Sequence, residues 1–314
     1  MLKIALPLCL GIFLISYSYS RFTQDQLSEI KTYFAKADYL IVLLSVFLSI
    51  LSHISRAYRW NFMLEPLGYK PRLANNFMAI SVAYLLNILI PKSGEVSRGI
   101  ILDKYENVPF TKGFGTIISE RVVDLVFLLL FTLLALSLQF DELYSYLSEI
   151  FRPKKILFAL LFLTVLAISF FLFIRFSKSK LQQKLKNFIF DLKEGVFSIL
   201  KMKRKWAFLF HTIIIWGLYL ASFYTATHAL AETSNISIGV LIITFVVGSF
   251  AFAFTNSGFG SYPFFVAGIL AVFGVAETAG TAFGWIVWTS NIASIIFFGC
   301  LSLLFLPFYN KNRT

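Results

Sequence analysis

Two short charged islands stand inside stretches that otherwise read as membrane-buried: Pro91-Lys92-Ser93-Gly94-Glu95-Val96-Ser97-Arg98, and Glu120-Arg121-Val122-Val123-Asp124. The second runs directly into residues 125–138, where only Thr132 and Ser137 are polar. Ionised side chains at that depth cost about 2.5 to 3.5 kcal/mol each on insertion scales, and they commonly mark a substrate or ion path. Glu120 and Asp124, four residues apart, share one helix face, while Arg121 points about 100° away. Residues 125–140 span about 24 Å as a helix, which places Asp124 within the hydrocarbon or at its inner edge. The structural alternative for Arg121 is a pair with a carboxylate on a neighbouring helix, or a snorkelled position at the interface.

In the first island Pro91 and Gly94 interrupt a helix, and Glu95 and Arg98 can share one face of the short helix that follows. The start of that helix offers free amides and a positive dipole end to a phosphate or carboxylate. Together the islands supply both signs of charge at one depth. That combination suits a zwitterionic or phosphate-bearing lipid headgroup better than a simple ion.

Other chemistry finds little support. No nucleophile and base stand at suitable spacing, no Gly-rich phosphate loop follows a strand, and no paired-acid motif is flanked by His. Cys9 and Cys300 are isolated, and His53, His211 and His228 are scattered, so neither a disulfide framework, a metal site nor a cofactor is expected. The net charge of +12 comes from basic residues beside apolar segments, the pattern that orients membrane proteins rather than one that binds nucleic acid.

The elements that must position the islands are transmembrane. Hydrophobic residues make up 58% of the 314, charged residues 14%, and mean hydropathy is +0.77, which predicts an all-α polytopic membrane protein. Residues 1–314 read as a single membrane domain. Six apolar windows are long enough to cross about 30 Å of hydrocarbon: 2–20, 39–55, 125–140, 156–174, 207–230 and 281–306. The first is read as an uncleaved helix. Two further regions, 73–102 and 238–275, are broken: one at Pro91 to Gly94, the other at Asn256, Gly258, Gly260 and Pro263. Each predicts a helical hairpin, either re-entrant or fully crossing.

If both hairpins re-enter, 22 of the 28 Lys and Arg fall on the cytoplasmic side, against 20 if both cross. The positive-inside rule thus favours re-entry and puts both termini in the cytoplasm of a bacterial inner membrane. The order span, span, hairpin, span then occurs twice with opposite orientation, an inverted repeat of the kind that places substrate sites between halves. Residues 176–206 alternate basic and apolar positions at helical spacing and are expected on the inner membrane surface.

The ordered set Arg56-Ala57-Tyr58-Arg59-Trp60, Asn87 with the first island, and the second island resembles the lysylphosphatidylglycerol synthase transmembrane region, or flippase-like domain, over nearly the whole chain. Gly258-Phe259-Gly260 resembles that family's Gly-rich break, although Asn256-Ser257 stand where the family commonly has Pro, and Pro263 where it has an acid. The resemblance implies movement of phosphate-bearing, aminoacylated or polyprenyl-linked lipids between leaflets. The chain stops at Thr314, so the family's soluble synthase domain, and lipid aminoacylation with it, are not expected.

The leading expectation is therefore a lipid translocase or lipid-binding transporter. Arg98 and Arg121 would contact phosphate; Glu95, Glu120 and Asp124 would contact cationic groups or Arg partners; Asn87, Arg56 and Arg59 complete the set. Two alternatives stay open: a transferase using a polyprenyl-phosphate donor with Glu95 or Asp124 as general base, and a non-catalytic partner of a separately encoded synthase.

Overall fold

The computed structural model describes residues 2–150 and 202–311, with positions 165, 169, 172 and 183 between them. The expected span 156–174 and the basic segment 176–206 lie almost wholly outside the described residues. Elsewhere the chain is helical, with no strand among the described residues: α1 (Leu2–Arg21), α2 (Gln24–Lys36), α3 (Tyr39–Leu64), α4 (Leu73–Leu89), α5 (Ser93–Glu106), α6 (Phe110–Leu138) and α7 (Phe140–Ile150). Then follow α8 (Lys205–Thr227), a one-turn helix at Ala231–Ser234, α9 (Ile238–Phe254), α10 (Ser261–Val272) and α11 (Glu277–Tyr309). The protein is a polytopic helical membrane protein.

Four described helices are long and apolar enough to cross a bilayer: Tyr39–Leu67 (α3 with the 3₁₀ turn after it), α6, α8 and α11. Their outward faces carry Leu, Phe and Ile that would be anomalous in water but suit lipid. The structure extends the window at 125–140 backwards to Phe110. Glu120 and Asp124 are therefore ten and fourteen residues inside the helix, about 15 and 21 Å from its start.

The two broken regions are paired helices. α4 packs on α5 and α9 on α10. At 17, 14, 17 and 12 residues, these helices are about 25, 21, 25 and 18 Å long, each shorter than the hydrocarbon thickness. The first turn is made by Lys92, whose φ of 65° is left-handed, while Gly94 lies in the first turn of α5. Gly94 serves close approach instead: a Cβ there would run into the Ala83 carbonyl and the Asn87 side chain. The second turn uses Ser257, Gly258 and Gly260, all at positive φ. Pro263 falls in the first turn of α10, where a missing N–H costs nothing.

The halves interlock reciprocally. α3 packs along α8, hairpin α4–α5 leans on α11, and α9 of the other hairpin leans on α6. Each hairpin packs on both α6 and α11: α5 and α9 touch α6, and α4 and α10 touch α11. Two apolar clusters fill the bundle, one built largely from α3 to α6 and one from α8 to α11.

A buried arginine–carboxylate cluster

α3 brings Arg56 and Arg59 to one face by their i, i+3 spacing, and α6 brings Glu120 and Asp124 by theirs of i, i+4. The four interlock. Arg56 Nη1 donates to Glu120 Oε1 at 2.5 Å and to Asp124 Oδ2 at 2.6 Å. Arg59 Nη2 donates to Asp124 Oδ1 at 3.0 Å and lies 3.2 Å from Glu120 Oε1, while its Nη1 donates to Thr212 Oγ1 on α8 at 3.0 Å. From α5, Arg98 Nη2 donates to Glu120 Oε2 at 2.8 Å. Burial is nearly complete: Arg59 and Glu120 are 0% exposed, Arg98 1% and Arg56 3%.

Aromatic rings line the guanidinium faces. Arg98 lies 4.0 Å from the centre of the Trp60 ring, whose Nε1 donates to Thr116 Oγ1 at 2.9 Å. Phe208 stands 5.1 Å from Arg59 and Tyr219 5.9 Å from Arg56. A desolvated guanidinium over a ring gains about 2 kcal/mol, which offsets part of the cost of burial.

The rim is more open. Arg121 Nε lies 3.2 Å from Glu95 Oε1 and its Nη1 3.9 Å from Asp124 Oδ2, with the two rim side chains 38% and 22% exposed. The Arg121 pairing with a carboxylate on a neighbouring helix is thus present, with Glu95 as the partner. Asn87 stands behind the rim: its Oδ1 accepts from the Gly94 N–H at 2.8 Å and its Nδ2 reaches Glu95 Oε2 at 3.5 Å. Asn87 clamps the hairpin tip and orients Glu95.

All eight residues singled out in the sequence gather here, but their environments divide them. Glu120 has both oxygens engaged, Oε1 by Arg56 and Arg59 and Oε2 by Arg98. Four guanidinium groups face three carboxylates, a surplus of one positive charge. Arg98 Nε and Nη1, together with Arg56 Nε and Arg59 Nε, are buried without an acceptor. Buried donors are rarely left so, and each costs about 1 to 3 kcal/mol. Sequence reasoning missed Trp60, Thr116 and Thr212 as partners. It also missed a stripe on α3, Ser45, Ser49, Ser52 and Ser55, all buried and at three-to-four spacing, which prolongs the face of Arg56 and Arg59. No group of three or more His, Cys, Asp or Glu positioned for a metal occurs among the described residues.

The chain is 26% identical over 251 residues to a UPF0104 membrane protein of Methanocaldococcus jannaschii, an alignment covering 70% of this chain and 71% of that one. A UPF0104 membrane protein of Pyrococcus horikoshii is 26% identical over 58% of this chain and 62% of its own. The glycosyltransferase AglD of Haloferax volcanii is 27% identical over 100 residues, 32% of this chain and 16% of its own length. No solved structure matches. The family profile described as the lysylphosphatidylglycerol synthase TM region matches residues 3–287, and the chain belongs to that family.

Proposed function

We propose that this protein is a lipid translocase or lipid-binding transporter of a bacterial cytoplasmic membrane, with cytoplasmic termini, that handles a phosphate-bearing headgroup. The observation that carries the reading is Arg98: a guanidinium 1% exposed, stacked on Trp60, with two N–H-bearing nitrogens lacking acceptors inside a cluster of net positive charge. An anionic headgroup oxygen supplies what those donors lack, and a charge-assisted bond in that environment is roughly twice as strong as a neutral one. The acyl chains of such a lipid stay in the bilayer beside the apolar outer faces of the helices. Two short hairpins meeting inside the bundle are the arrangement in which many transporters hold substrate between repeats.

The aminoacyl or polyprenyl character of the lipid, and a partner synthase encoded elsewhere, belong to the same proposal and rest on family membership. Proteoliposomes carrying headgroup-labelled lipids test it. Arg98→Lys, which keeps the charge but loses the planar fork, is expected to slow leaflet exchange severalfold, and Arg98→Ala to abolish it. Unchanged exchange in a folded Arg98→Ala protein would count against the reading.

The match to a protein named as a glycosyltransferase motivates a second reading, a transferase using a polyprenyl-phosphate donor. Glu95, at the rim and more exposed than Asp124, is the candidate base of that reading. Product formed from labelled donor by the purified protein, and lost in Glu95→Gln, would favour it.

A further inference from the structure

A second polar line leaves the arginine cluster along α3, toward the middle of that span. Arg56, His53 and Ser49 stand at i, i−3 and i−7, one helix face about 10 Å long. Two rings close on His53 from neighbouring helices: Tyr84 of α4, with ring centres 4.8 Å apart, and Tyr219 of α8, at 6.3 Å. One turn further on, Ser49 Oγ donates to Asn291 Oδ1 of α11 at 3.5 Å. His53, Tyr84, Tyr219 and Asn291 are each only partly buried, so this seam keeps accessible surface beside a cluster that has almost none.

The seam differs chemically from the cluster. Its side chains bring hydroxyls, an imidazole, a carboxamide and ring faces, and none is a carboxylate. At its charged end Arg56 is 3% exposed, and its Nε lacks an acceptor. Trp216 stands beside Tyr219, ring centres 6.3 Å apart; it is 7% exposed, and its indole N–H finds no acceptor either. Stacking on Phe127 and Phe131 of α6 accounts for the burial of that ring but leaves its N–H unanswered. Two buried donors from different helices, both beside Tyr219, call for acceptor oxygens. An ammonium group would bring further donors to a cluster already net positive, and the Arg56 guanidinium already lies 5.9 Å from the Tyr219 ring. Hydroxyl groups suit the seam on both counts, since each accepts from an N–H and donates to a carboxamide or phenol oxygen.

Resting on the phosphate-lipid reading of Arg98, we propose that the headgroup continues past the phosphate into this seam and is an uncharged polyol, open-chain or cyclic. Arg56 and Trp216 donate to its oxygens, and His53, Tyr84 and Tyr219 enclose it. Rejection of a cationic headgroup follows from the same residues, because the seam offers an ammonium no counter-charge of its own.

The test uses the full chain in nanodiscs, with native mass spectrometry measuring which lipid stays bound. The bilayer holds equal fractions of phosphatidylglycerol, phosphatidylinositol, phosphatidylmethanol, phosphatidylethanolamine and diacylglycerol with matched acyl chains. Phosphatidylmethanol carries the same phosphodiester charge without headgroup hydroxyls. Retention of phosphatidylglycerol or phosphatidylinositol about tenfold over phosphatidylmethanol is expected, as a pair of neutral hydrogen bonds implies. Preference between those two lipids tells an open polyol from a cyclic one. Trp216→Phe and Tyr84→Phe are each expected to lower the ratio of polyol lipid to phosphatidylmethanol severalfold, while the ratio of phosphatidylmethanol to diacylglycerol holds. A variant that merely packs badly lowers all retention together and moves neither ratio. Equal retention of the polyol lipids and phosphatidylmethanol overturns the proposal, as does preference for phosphatidylethanolamine or a polyol ratio that both variants leave unaltered; in each case the phosphate reading stands. Retention of phosphate lipids no better than diacylglycerol overturns that reading as well.

Discussion

Asn256, at the tip of the second hairpin, donates a 2.8 Å hydrogen bond from its side-chain amide to the carbonyl of Ile88, near the tip of the first. The residues are 168 positions apart in the chain. The bond joins the two broken regions and satisfies one of the orphan carbonyls at the end of α4, a group that lipid could not solvate. The two hairpins therefore meet tip to tip.

Asn256→Ala removes that donor and strands the carbonyl. The expected cost is about 1 to 3 kcal/mol, read as a lower thermal midpoint in detergent. Asn256→Asp, which lacks the donor but keeps the shape, should lose as much. An unchanged midpoint in both would show that apolar packing alone holds the tips together.

Glu120 is the shared counter-charge of three buried guanidiniums. Glu120→Gln is expected to destabilise by about 3 to 5 kcal/mol, the range seen when one partner of a buried ion pair is removed. Adding Arg98→Met should restore part of the loss, because the pair then disappears together with its desolvation cost. A double-mutant cycle on unfolding midpoints measures this, and strictly additive losses would contradict the geometry.

Much of this was legible in the chain. The spans at 39–55, 125–140, 207–230 and 281–306, the two breaks and the convergence of the islands follow from hydropathy and from the cost of charge in lipid. Three things were not. The length of α6 was hidden because Gly113, Thr116, Ser119 and the charged residues dilute hydropathy before Val122, although the helix continues through them. The partner of each arginine depends on how α3, α5 and α6 are rotated about their axes, which spacing alone leaves free. The neutral seam beside Arg56 unites His53, Tyr84 and Tyr219, residues far apart in the chain that only the packing of α3, α4 and α8 brings together.

Trp60 separates ring stacking from hydrogen bonding. Trp60→Phe keeps a ring beneath Arg98 but loses the bond to Thr116, an expected cost of about 1 kcal/mol. Trp60→Leu also removes the cation–π contact and should cost about 1 to 2 kcal/mol more. Both are read from thermal midpoints. If Phe and Leu behave alike, the ring does not support the guanidinium.

Gly94 and Asn87 test whether the hairpin tip orients the rim. An added methyl at Gly94 would meet the Ala83 carbonyl, a backbone atom that cannot swing aside, so α4 and α5 must part. Their separation pulls the Gly94 N–H from Asn87 Oδ1 and Asn87 Nδ2 from Glu95, and the Arg121–Glu95 pair loses its fixed side. Asn87→Ala breaks the same two bonds without forcing the helices apart. If the tip acts by orienting Glu95, both variants should slow leaflet exchange of a phosphate-bearing lipid by similar factors. Only Gly94→Ala should also lower the thermal midpoint by several degrees, as overpacking of about 1 to 3 kcal/mol implies. Slow exchange in Gly94→Ala with normal exchange in Asn87→Ala would instead assign the tip to helix packing, leaving the rim to be set by α6 alone.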